Sequence, residues 1–121
     1  MKTEQLHELL YQSLETEQGG IQVYETAVAL AQNADLKKEW KEYLEQTRNH
    51  EQILLGVFKE LDLDPRIETP GRTVVRHLGQ SLVDAIVISL RYRCREKCGV
   101  PVEKNPGEPW RGHFAKALLL E

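Results

Sequence analysis

Two apolar stripes at helical spacing, separated by Asn33-Ala34-Asp35, constrain this chain more than any other feature of its sequence. At about 100° per residue, Leu6, Leu10, Leu14, Glu17, Ile21, Tyr24, Val28 and Ala31 fall on one line of a first helix. Leu36, Trp40, Tyr43, Leu44, Thr47, Leu54, Phe58 and Leu61 do the same on a second, with His50 and Glu51 at the two edges of the line. Both stripes are expected to face a core. Asn33 and Asp35 suit a short turn and a helix N-cap, so the two segments should fold back as an antiparallel hairpin. Each arm would run about 40 Å at about 1.5 Å per residue.

Asp62 to Gly71 holds Pro65 and Pro70 and reads as a linker, with Pro70 suited to the first turn of a further helix. From Thr73 to about Leu90 that third helix shows Val75, Leu78, Leu82, Ala85 and Ile86 on one side and Val83, Val87 and Ile88 on the other. A helix apolar most of the way round needs cover on two faces. After Leu90 three prolines and three glycines fall within residues 91–121, and no long fourth helix is expected there. The chain therefore reads as one helical domain over residues 1–90 and an irregular tail over 91–121. The length of 121 residues suits a single core.

Charge excludes one broad class of function. Residues 1–90 hold 9 Lys/Arg against 15 Asp/Glu, and residues 91–121 hold 7 against 4. An acidic body argues against nucleic acid as a partner, because phosphate contacts need clustered cations. No signal-peptide core is visible at the N-terminus, and no unbroken run of about 20 apolar residues suggests a membrane span. A cytoplasmic protein without a membrane partner is the expectation. In that setting Cys94 and Cys98 are a poor basis for a structural disulfide.

The hairpin also places chemistry. A turn centred between Asn33 and Ala34 sets Glu17 level with His50, and Tyr24 level with Tyr43. A carboxylate in the middle of an apolar stripe is costly unless it is paired, protonated or metal-bound. A carboxylate and an imidazole at one level of a bundle suit a transition metal of the iron or manganese type. A plain hydrogen-bonded pair, with His50 leaning to the surface, explains the same pattern.

The Glu17-to-Tyr24 spacing resembles the first helix of ferritins and bacterioferritins, in which a metal-binding Glu is followed seven residues later by Tyr. The stretch from Tyr11 through NADLKKEWKEYLEQTRNHEQI is similar to the ferritin-like stress-protein family, over about residues 6–62. The resemblance implies an all-α, ferritin-like antiparallel four-helix bundle, with iron or manganese as cofactor and a stress or storage role. Carried over residue by residue, the ligands are Glu17 and His50, with Glu51 or the outward-projecting Glu45 as substitutes for a missing carboxylate. The family places Glu three residues before the second-helix His, where this chain has Thr47. It would also supply ligands from a fourth helix.

A metal site usually gathers about four to six donors, and one hairpin offers fewer. A homodimer or higher even oligomer that doubles Glu17 and His50 around a shared axis, as in the half-bundle encapsulated ferritins, answers both that deficit and the second apolar face of the third helix. The alternative is a non-catalytic helical scaffold that self-associates. Cys94, Cys98 and His113 form a weaker zinc candidate, and His77 with Asp84, one heptad apart, suit a solvated face or a partner contact. Gly19-Gly20 inside the first helix points to a close helix neighbour.

Overall fold

The structure, a computed structural model, describes residues 2–97 and Gly99. Within them the chain is all-α, with α1 at Thr3–Leu30, α2 at Ala34–Glu60 and α3 at Pro70–Lys97. The hairpin forms as the sequence indicates. Asn33 caps α2, its side-chain oxygen accepting the Leu36 amide at 3.0 Å. Tyr24 and Tyr43 meet across the hairpin with ring centroids 5.9 Å apart.

The end of α2 is closed by hydrogen bonds rather than by the prolines alone. Asp62 takes a left-handed backbone (φ 56°), its amide reaches the Lys59 carbonyl at 3.2 Å, and the Leu63 amide reaches the Phe58 carbonyl at 2.9 Å. This is a Schellman closure, with Asp in the position that glycine usually holds. It turns Leu63 inward against a core of Tyr11, Leu14 and Phe58. Tyr11 packs edge-on against Phe58 at 5.0 Å and donates its hydroxyl to the Asp64 carbonyl at 2.7 Å, tying the linker to α1.

Helix α1 is the central element, packed on one side by α2 and on the other by α3. The paired glycines explain how closely they approach. A Cβ on Gly19 would lie 3.9 Å from the Gly79 Cα, and one on Gly20 would lie 3.2 Å from Thr47 Cγ2. Gly19 thus admits α3 and Gly20 admits α2, the close approach that the sequence suggested. Because Gly19 sits beside Gly79 and Glu8 beside Gly71, α3 runs parallel to α1.

Several expectations change. The third helix does not stop at Leu90 but continues to Lys97, since no proline or glycine interrupts it before Gly99. The segment Pro70–Leu90 is also long and apolar enough to cross a membrane by length and composition, which a search for unbroken apolar runs does not reveal. Leu6, Tyr43, Leu61, Leu78 and Leu82 are exposed rather than core-facing. Among the described residues the three helices form a layer with two open faces, so an amphipathic stripe is covered only where a neighbouring helix lies over it. Cys98, His113 and the remaining tail lie outside the described residues.

The two faces of this layer differ. On α3, Arg72, Gly79 and Ile86 point toward α1. Arg76 and Gln80 turn away from that direction by roughly 60–100°, and Val74, Leu78 and Leu82 by roughly 60–140° the other way. On α2, Arg48 and Gln52 lie to one side of the buried Leu44, Thr47 and Phe58, and Tyr43, His50, Ile53 and Leu61 lie to the other. Arg48, Gln52, Arg76 and Gln80 line one groove. One face of the layer is therefore polar, and the opposite face carries the exposed apolar side chains together with His50.

Candidate functional site

Two charged clusters flank α1, and they are built differently. Glu17 and His50 meet on the α2 side, where the His50 Nδ1 lies 3.5 Å from a Glu17 carboxylate oxygen. The pairing across the hairpin is the one the sequence register gives. The pair is not enclosed: the His50 side chain is 57% exposed, as in the alternative with His50 leaning to the surface, and that of Glu17 is 26% exposed. His50 sits at the rim of its stripe and turns out of the core once α1 occupies the adjacent side.

Glu51 is parted from them. It lines the polar groove with Gln18 and Gln22 of α1, Arg48 and Gln52 of α2, and Arg76 and Gln80 of α3, around a cavity of about 690 Å³. Glu45 is exposed. Among the described residues, no three His, Cys, Asp or Glu side chains gather as a cluster. The structure therefore brings together two of the three residues that the sequence nominates.

The spacing of the Glu17–His50 pair suits two of the donors that one divalent ion requires. Metal–oxygen and metal–nitrogen bonds of about 2.0–2.2 Å place two adjacent donors about 3–3.5 Å apart, and the observed separation is 3.5 Å. Exposure of the imidazole leaves room for water or further donors. His50 would bind as the neutral imidazole and Glu17 as the carboxylate.

The second cluster was not legible in the stripes. Glu15, two residues from Glu17 and about 200° around the helix, is buried against α3. Its carboxylate accepts from Arg72 Nε at 2.6 Å and from Arg76 Nε at 2.9 Å. Arg72 is also buried, and its remaining donors go to Gln18 Oε1 and to the backbone carbonyls of Pro65 and Ile67. Its guanidinium lies 5.9 Å from the Tyr11 ring centroid. Arg76 reaches on to Glu68 at 2.7 Å.

Burial would raise the Glu15 pKa, but the hydrogen bonds and charges of Arg76 and Arg72 outweigh it and hold the carboxyl below its ordinary value of 4.5. A signal for this cluster existed in sequence: Glu8 and Glu15 stand one heptad apart on α1, and Arg72, Arg76 and Gly79 share the facing side of α3. Glu8 completes the set, its carboxylate accepting from the Thr69 hydroxyl at 3.1 Å and the Gly71 amide at 3.0 Å at the start of α3.

His77 and Asp84 are exposed on α3, and Asp84 accepts from Gln80 at 3.0 Å. No family model, curated protein or solved structure matches this chain.

Proposed function

We propose that this chain is a ferritin-like metal-binding protein in which Glu17 and His50 hold iron or manganese. The observation that carries the reading is the 3.5 Å approach of a carboxylate and an imidazole across the hairpin, at a rim open to solvent. Both are ordinary ligands of these metals. Neither is tied into the buried network two residues away, so both remain available to an ion. Glu51 lines the groove on the opposite face and is left out of the proposed site.

One pair supplies two donors, and water or a second copy of the chain would supply the rest. When bound, iron would bring redox chemistry to this rim. The residues themselves orient the ion and set its access to solvent.

A second reading is favoured by the same contact: Nδ1 and the carboxylate oxygen face each other directly, as in a simple ion pair on a helical scaffold. Elemental analysis separates the two. Protein purified without added metal or chelator is expected to carry iron or manganese, and Glu17→Ala to carry several-fold less. Equal and negligible content in both would leave the scaffold reading standing.

A further inference from the structure

Among the described residues, nothing covers the exposed apolar stripe of α3. Val74 and Leu78 are each 60% exposed, Leu82 45% and Ile88 42%. With Ser81 and Ala85 they make one continuous band of about 120°. Along the outer edge of this band stand His77 and Asp84, one heptad apart and both exposed. That edge pattern is self-complementary. When two helices pack antiparallel about a two-fold axis, the same edge of each faces the other, and residues equidistant from the axis meet.

An axis near Ser81 places Val74 level with Ile88 of the second copy and interleaves Leu78 with Leu82. Within one residue, the same axis sets His77 opposite Asp84 twice over, once at each end of the seam. Ser81 meets its own copy at the axis, where a small side chain permits close approach.

We propose that the α3 stripe is the seam of a homodimer, two α3 helices packed antiparallel about an axis at Ser81. The charge pattern favours a second copy over a lipid surface: between residues 74 and 88 the band is edged by one imidazole and one carboxylate, which can pair with each other across an antiparallel seam and offer no Lys or Arg to anionic lipid. It shares with the reading above only the presence of a second copy, and the metal takes no part in the seam.

Gly79 sits beside Gly19, so an axis at Ser81 lies level with Ile21 of α1, four residues from Glu17. The two Glu17 side chains are then eight residues apart along the helix direction, roughly 12 Å at about 1.5 Å per residue. Each copy would hold its own ion, in place of one ion shared at the axis.

The test uses the full chain in excess chelator, so that metal binding and dimerisation fail separately. Light scattering after size exclusion at about 50 µM is expected to give twice the 14.0 kDa chain mass. Leu78→Asp with Leu82→Asp should give a monomer of unchanged helical content. In a Cys94→Ser, Cys98→Ser background, Ser81→Cys should cross-link to its own copy on mild oxidation, and Thr73→Cys should not. His77→Glu should weaken the dimer roughly tenfold, and His77→Glu with Asp84→Lys should restore it. A wild-type monomer, including one that floats with vesicles, overturns the proposal. So does a dimer that survives the double Asp variant, or one in which Thr73→Cys cross-links and Ser81→Cys does not. A dimer that forms as described but binds no metal removes the metal reading and leaves the seam in place.

Discussion

Glu15 and Glu17 lie two residues apart on one helix and have opposite fates. Glu15 faces α3, where two arginines enclose it; with Arg72, both side chains of that contact are less than 10% exposed. Glu17 faces the rim of α2, where a single, mostly exposed imidazole stands 3.5 Å away. The first site uses up nearly all the hydrogen-bonding capacity of its members: Arg72 alone bridges Glu15, Gln18 and two linker carbonyls. The second leaves lone pairs on both partners. A carboxylate whose bonds are all spoken for inside the protein is structural, and one with capacity left at an accessible rim is available to a ligand.

The largest test of this contrast is Arg72→Met. It strips Glu15 of a buried partner and frees two linker carbonyls, and it should destabilise the protein by about 3–5 kcal/mol, read from denaturant unfolding. A loss near zero would mean that the buried cluster is not a stability element.

Glu15→Gln keeps the shape but removes the charge between the two arginines, and should cost about 1–3 kcal/mol. It also carries a pH signature. Because the folded-state pKa of Glu15 lies below its ordinary 4.5, its contribution is present above that value and is lost as pH falls through the depressed one. Wild-type stability should therefore drop below about pH 4.5 more steeply than that of Glu15→Gln. Parallel curves for the two proteins would show that Glu15 is not the group responsible.

Arg76→Met comes next, at about 1 kcal/mol or less. Its side chain is half exposed and Glu15 retains Arg72. Smallest of all should be Glu17→Leu, within about 0.5 kcal/mol of wild type in the absence of metal. A loss comparable to that of Arg72→Met would place Glu17 among the structural residues and erase the contrast.

How far the sequence reaches is visible in the same two residues. The hairpin, its Asn33 cap and the meeting of Glu17 with His50 follow from helical period and turn position, which are local and additive along the chain. The Glu15 cluster depends on where α3 lies against α1, a long-range choice that the apolar stripe of α1 does not record and the Glu8–Glu15 spacing only hints at. The exposure of Leu78 and Leu82 is hidden for the same reason. Periodicity identifies an apolar face without saying whether another helix covers it. The Schellman closure at Asp62 was obscured because Asp stands where glycine signals such an ending, and the extension of α3 to Lys97 because Arg-rich sequence after Leu90 looks unlike the apolar turns before it.

A manganese titration of the chelator-stripped protein, followed through the electron paramagnetic resonance signal of the unbound ion, decides whether Glu17 and His50 hold a metal. The wild-type protein should remove about one Mn²⁺ per chain from the free pool, since two donors from one pair make one site. Glu17→Leu and His50→Leu should each abolish that uptake, and Arg76→Met should leave it intact. Uptake that survives in both Glu17→Leu and His50→Leu, or none in the wild type, would contradict the assignment of this pair as the metal site.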